Sequence, residues 1–185
     1  MLSMQTAWPI SISRSGHPWD VVRNNRLIKQ FLDSDCDIFV KMDVDQTYPP
    51  DYLVTMVPLV EQYKVIGPLI YDRMEANRFI PLAFENNDYK ELKVFNINGS
   101  KGVIEVPFPH TNLFYAREVL EKVPMPWYEA YATPDGLDRA NHVDFTFLKK
   151  IKDAGYPIYI NLDVEVDHLF TQRANGRLHA IFNRD

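Results

Sequence analysis

A single cysteine, Cys36, in a chain of 185 residues excludes an internal disulfide and a cysteine-rich zinc site. Cys36 reads as a small core residue ahead of the apolar run Ile38 to Met42. No apolar run approaches the ~20 residues needed to span a membrane as a helix. Met1 to Pro9 lack the basic start and apolar middle of a secretory signal. These absences predict a cytoplasmic protein without a transmembrane segment. Basic charge is also scarce: 20 Lys and Arg stand against 25 Asp and Glu, for a net charge of −5. That balance argues against a broad electrostatic grip on nucleic acid or anionic membrane, so no nucleic-acid partner is expected. It leaves room for a local basic site that takes a phosphorylated small molecule. No repeat, low-complexity tract or linker divides the chain, and residues 1–185 suit one domain with a substantial core.

What is present centres on Asp37-Ile-Phe-Val-Lys-Met-Asp43-Val-Asp45. The apolar lead-in predicts a strand over Ile38 to Met42 that runs into two aspartates. Strand side chains alternate with period two, so Asp43 and Asp45 are expected on one side. Two carboxylates at a strand's carboxyl end suit a hard divalent cation that keeps ligand places for substrate phosphates. The plainer reading is that they solvate a strand end. Gln46-Thr47-Tyr48-Pro49-Pro50 then stops the strand and turns the chain toward a helix.

Before this stretch, Ile10 to Ser13 alternate like a short strand. Asp20 reads as a helix N-cap, and Val21, Leu27, Ile28, Phe31 and Leu32 give the helix an apolar face. Arg23, Asn24 and Arg26 sit early on that helix and, taken alone, form a solvated face. After it, a helix starting near Pro50-Asp51 should bury Leu53, Met56, Val57 and Val60, with Pro58 kinking it. Lys64 to Tyr71 is the next strand, interrupted by Gly67-Pro68. Helix, strand, helix, strand predicts an α/β fold with a mainly parallel sheet flanked by helices. Val94 to Ile97 and Val103 to Val106 are expected to pair as a hairpin around Asn98-Gly99. Thr111 to Ala116 reads as a strand, Arg117 to Val123 as a short helix, and residues 129–142 as a loop.

The second informative stretch runs from Val143-Asp144 to Ala154-Gly155-Tyr156. Val143, Phe147, Ile151 and Ala154 keep one helical face apolar, and Gly155 suits the C-terminal cap. Asp144 falls in the first turn, where the helix dipole favours a carboxylate. Pro157 to Asn161 and Val164 to His168 read as strands, and a basic, aromatic tail follows with Arg173, Arg177, His179 and Phe182.

In this order the motifs resemble the nucleotide-sugar glycosyltransferases of the GT-A fold, in particular the inverting family 2. The resemblance rests on Phe39 to Asp45 with Tyr48-Pro49, on Asp144-x-x-Phe147 running to Gly155-Tyr156, and on the strand ending in His168. It covers roughly residues 20–168, with residues 74–106 unassigned. It implies a GT-A, Rossmann-like mixed sheet and a metal-dependent transferase. The donor would be a nucleoside-diphosphate sugar, the acceptor an unidentified hydroxyl compound, and the cofactor Mn²⁺ or Mg²⁺. By the same resemblance Asp144 is the catalytic base, with Val143 in place of the customary Glu. Asp43 and Asp45 would hold the nucleotide ribose and the metal, His168 would complete the metal site, and Arg23 and Asn24 would face the donor nucleotide. The family's first strand, with its Pro-Thr-like nucleotide-binding turn, has no counterpart here, so the domain is expected to be N-terminally incomplete. A catalytically silent nucleotide-sugar-binding remnant is one alternative. Another is a haloacid dehalogenase-like phosphatase, because Asp43-Val-Asp45-Gln-Thr47 fits its D-x-D-x-T motif, although no matching later acidic pair is found.

Overall fold

The computed structural model describes residues 7–71, 81–87, 91–138 and 140–169; the predicted basic tail with Arg173, Arg177, His179 and Phe182 lies outside them. In chain order the elements are α1 (Asp20–Leu32), β1 (Ile38–Val40), β2 (Gln46–Thr47), α2 (Tyr52–Tyr63), β3 (Val65–Ile70) and β4 (Ala83–Phe84). They continue with β5 (Val103–Glu105), β6 (Phe108–Pro109), β7 (Phe114–Ala116), α3 (Arg117–Lys122), α4 (Val143–Asp153) and β8 (Tyr159–His168). The fold is mixed α/β. A six-stranded sheet runs in the order β1-β7-β3-β8-β2, with β5 also on β8, and β4 and β6 form a separate pair.

The sheet is not mainly parallel, which corrects the expectation from element order. Among its described pairings only β3 with β8 is parallel. The crossover through α2 carries the chain from β1 to β3 in the same direction but leaves one strand position open between them. β7 fills that slot antiparallel to both neighbours, joining Phe39 to Tyr115 on one side and Ile66 to Phe114 on the other. The alternation of an inserted strand reads the same in either direction, so local pattern carries no information on its sense.

Both faces of the sheet are covered. α2 lays Tyr52, Met56 and Val60 against Ile66, Ile70, Phe114, Val164 and Val166. On the other face Ile28 and Phe31 of α1, Val119 and Leu120 of α3, and Phe147, Leu148 and Ile151 of α4 pack on Val65 and Tyr115. β3 is buried at all six positions, as a strand covered on both faces must be, hence its unbroken apolar run. Pro68 has no N–H for the ladder, and the β3–β8 register shifts immediately after it, from Pro68 opposite Asn161 to Leu69 opposite Glu165.

Other expectations fare unevenly. α4 ends as predicted: Gly155 takes φ +91°, its N–H reaches the Lys152 carbonyl and that of Tyr156 reaches Ile151, a Schellman closure. α2 carries Pro58 internally and buries Leu53, Met56 and Val60, while Val57 is half-buried. Cys36 is half-buried against the core. Trp19 rather than Asp20 is the N-cap residue of α1, and the Asp20 carboxylate accepts from the Val21 N–H at 2.8 Å. Residues 10–13 form no strand. The hairpin of residues 94–106 does not form either: β5 pairs with β8, and Val94 bridges to Phe84. The long edge of β8 offers Val103 to Glu105 a ladder next to the core, which a two-strand ribbon in solvent cannot match.

Arg117 fastens the helical layer to the sheet. Its guanidinium donates to the carbonyls of Phe31 (3.2 Å), Leu32 (3.3 Å), Ser34 (2.5 Å) and Cys36 (2.8 Å), and it stacks 4.8 Å from the Phe31 ring. One side chain thus satisfies the orphan carbonyls at the end of α1. Arg117→Ala should therefore cost about 2–3 kcal/mol in urea unfolding, and Arg117→Lys should recover only part of it, because one ammonium cannot reach four carbonyls.

Candidate functional site

β7 is antiparallel to β1 and to β3, so β1, β3 and β8 all point the same way. Their carboxyl ends, together with the entry to β7, therefore meet at one edge of the sheet. Lys41 to Asp45 come from the end of β1, Tyr71 from the end of β3, His168 from the end of β8, and His110 to Leu113 lead into β7.

Asp43 and Asp45 do not share a strand face, contrary to the expectation from period two. The ladder stops at Val40, the last residue opposite β7; Lys41 still bonds the Leu113 carbonyl (3.1 Å), and beyond it the chain turns. Asp43 faces Lys41, whose ammonium lies 3.0 and 3.3 Å from its two carboxylate oxygens and 2.7 Å from Asn112 Oδ1. Burial alone would raise the Asp43 carboxyl. The Lys41 ammonium, hydrogen bonds from Asn112 and Lys41, and nearby His110 outweigh it and hold the group below its usual range.

Asn112 is itself held from behind. Its backbone N–H donates to His110 Nδ1 (3.1 Å), and His110 Nε2 lies 2.9 Å from the Pro68 carbonyl. A carbonyl can only accept, so the proton is on Nε2 and the bare Nδ1 receives Asn112. Burial keeps this ring neutral and brings its pKa down to about 4. The segment lies so close to β3 that a Cβ on Gly67 would sit 2.2 Å from Leu113 Cδ2, 3.2 Å from the Asn112 carbonyl oxygen and 3.2 Å from His110 Cε1.

Asp45 turns to β8. The β2–β8 register sets Gln46 opposite His168, and the Leu169 N–H bonds the Asp45 carbonyl at 2.8 Å, so Asp45 and His168 are neighbours across the ladder. Asp45 Oδ2 lies 3.8 Å from His168 Nε2, and His168 Nδ1 lies 3.1 Å from the Tyr71 carbonyl. That carbonyl fixes the proton on Nδ1, so the neutral ring presents a lone pair to the carboxylate. A carboxylate oxygen and an imidazole nitrogen at this separation are a donor pair that one divalent cation can share. Bonds of about 2.1 Å to each atom reach across such a gap, and a backbone carbonyl on the far ring nitrogen is the usual support of a metal-binding histidine. The pair supplies two of the several ligands that an ion such as Mn²⁺ takes. Asp43 does not join it: among the described residues no three His, Cys, Asp or Glu side chains are grouped to hold a metal ion.

Tyr48 closes the loop between the two aspartates. Its hydroxyl receives the Asp43 N–H (2.9 Å) and donates to Gln46 Oε1 (2.6 Å), while its ring packs 4.9 Å from that of Tyr52.

Asp144 lies in the first turn of α4, partly exposed, with His142 Nδ1 3.9 Å from Oδ2. Below it are the buried phenols of Tyr115 and Tyr128, whose pKa values burial raises and the carboxylates of Asp144 and Asp43 raise further. Tyr115 donates to the Thr111 carbonyl at 2.8 Å, whereas Tyr128 Oη and Thr111 Oγ1 are buried without a hydrogen bond of normal geometry. The fields of Asp43 and Asp144 are both felt at these two phenols, as smaller causes behind burial. Arg23 is half-buried and Asn24 buried on α1, and among the described residues no hydrogen bond or ion pair ties them to Asp43, Asp45 or His168. Their neighbour Asn25 instead ties α1 to the loop after α3, since its amide exchanges two hydrogen bonds, both 2.9 Å, with the Tyr128 backbone. Sequence reasoning missed Lys41, His110, Asn112 and Tyr128. The only signal for Lys41 was a charge inside an apolar run, and the other three declare themselves only through contacts between distant segments.

No family model matches the chain, and no curated protein is significantly similar to it.

Two outcomes follow from this geometry. Gly67→Ala should lower stability by about 1–3 kcal/mol, because the segment bearing His110 and Asn112 must move off β3; thermal unfolding measures it. For His110 the folded pKa of about 4 lies below the usual 6.5. The unfolded chain then binds more protons between those values, so stability is full above about pH 6.5 and is lost as pH falls toward 4. Urea unfolding at pH 7 and pH 5 should show a loss of about 2 kcal/mol, and His110→Asn should flatten that slope.

Proposed function

We propose that the chain is a metal-dependent glycosyltransferase of the GT-A type, moving a sugar from a nucleoside diphosphate to an acceptor hydroxyl with inversion. The observation that supports this reading is the approach of Asp45 to His168 at the carboxyl ends of β1 and β8. Asp45 and His168 face each other beside Asp43, and a partly exposed carboxylate, Asp144, lies in the first turn of α4. A phosphate-binding end and a proton-accepting end are the two things such a transfer needs.

Asp45 and His168 would hold Mn²⁺ or Mg²⁺, which supplies positive charge to a diphosphate leaving group. Asp43, kept ionised by Lys41, accepts a hydrogen bond from a donor hydroxyl such as that of the ribose. Asp144 takes the proton of the acceptor hydroxyl as its oxygen forms a bond to the anomeric carbon. The bond from that carbon to the diphosphate breaks on the opposite face, and its electron pair leaves with the diphosphate. Tyr128 and Tyr115, being hard to ionise, remain hydrogen-bond donors. Arg23 and Asn24 enter this reading only through the family resemblance.

A screen of nucleoside-diphosphate sugars with Mn²⁺, read by thermal stabilisation and then by release of nucleoside diphosphate, tests the proposal. Stabilisation should vanish with chelator and in Asp45→Ala. Asp144→Asn should keep metal–nucleotide binding and lose transfer by ~10²-fold or more. Turnover near that of the wild type in Asp144→Asn removes the base assignment, and binding without any turnover supports the silent-remnant alternative instead.

A further inference from the structure

Lys41 is the residue at this edge for which the reading above has the least use, yet it is the most tightly held. Its side chain is only 12% exposed, although it ends on a carboxylate that is 46% exposed. The ammonium straddles both oxygens of Asp43 and is anchored at 2.7 Å to Asn112 Oδ1. Asn112 is braced by His110, His110 by the Pro68 carbonyl, and the whole segment rests on Gly67. A lysine on the surface swings aside when a metal ion competes for its carboxylate; this one is largely buried and held also by Asn112.

We infer that Lys41 is a built-in cation that keeps Asp43 from ligating a metal, so that the site takes a single divalent ion, on Asp45 and His168. This rests on the donor-site reading above and sharpens it: of the two aspartates, one is reserved for the metal and the other for a neutral hydroxyl. The two oxygens of Asp43 are already shared with one ammonium, and that ammonium is held in turn by Asn112. A divalent ion entering beside Asp43 would meet a fixed positive charge within a few ångströms.

The test is a double-mutant cycle read by Mn²⁺ alone, titrated into the intact chain by calorimetry and by the resonance signal of free Mn²⁺. Lys41→Met removes the repulsion and frees Asp43, so Mn²⁺ should bind about tenfold tighter or more. Lys41→Met combined with Asp43→Asn replaces one neutral pair by another and should bind Mn²⁺ within about threefold of the wild type. A Lys41→Met chain no tighter than the wild type overturns the inference. So does a double variant tenfold weaker than the wild type, which would make Asp43 a ligand, and so does an absence of Mn²⁺ binding in every chain. If Lys41→Met does not fold, Lys41→Gln, which can still reach Asn112, takes its place under the same criteria. Asp45→Asn separates the two readings: if it leaves wild-type Mn²⁺ binding intact, the Asp45–His168 pairing fails. Tighter binding in Lys41→Met that disappears with Asp43→Asn would still establish the role of Lys41.

Discussion

The segment from His110 to Leu113 lies so close to Gly67 that a methyl group would collide with Leu113. On this contact the arrangement of the site depends. It lets β7 enter between β1 and β3, brings His110 within reach of the Pro68 carbonyl, and sets Asn112 where it grips Lys41. The ionisation and direction of Asp43 follow from Lys41. A backbone with no side chain at one point of a buried strand therefore governs a carboxylate on another strand, through contacts that are all short and all satisfied.

A second fixed point is the Tyr48 hydroxyl, which takes a backbone N–H and gives to a buried amide. The five residues from Asp43 to Thr47 are otherwise held by the two-residue β2, the Leu169–Asp45 bond and the Lys41 ammonium on Asp43. Val44 stands fully exposed between the two aspartates, so the loop gains nothing from burial at its tip. Its order comes from Tyr48, which is itself stacked on Tyr52, and Tyr52 on Phe114 of the sheet. Aromatic packing in the core beneath thus sets the angle at which Asp43 and Asp45 part, one toward Lys41 and the other toward His168.

Much of this was legible in the sequence where the signal is local. The apolar period of α4, its first-turn Asp144 and its Gly155 closure depend on residues within one helix, and they occur as read. The approach of His168 to Asp45 was expected from motif order, and β8 delivers it through its pairing with β2. What was not legible is set by distant partners. Nothing near Phe114 states that it must run antiparallel between two parallel-running strands. Nothing near Val103 states that it prefers Asn161 to Ile97. Lys41 and Asn112 are 71 positions apart, and neither residue type predicts the other. The expectation that Asp43 and Asp45 share a face failed for a related reason: period two holds only as far as the ladder does, and the ladder ends when β7 runs out of residues.

The inserted strand also has a consequence for the order in which the protein is made. β1 finds its sheet partner only in β7, among the described residues, and β3 takes β7 on one side and β8 on the other. When a ribosome has released the chain through Ile70, β1 and β3 are complete but stand one strand apart with their ladders open. That gap stays unfilled until Ala116 has emerged, and β8 closes the far side of β3 only after His168 has followed. At roughly 5–20 residues per second the nascent chain carries unpaired, apolar strand edges for several seconds. Such edges are templates for pairing with other chains, so the yield of folded protein will respond to translation speed and to holding chaperones more than its size alone implies.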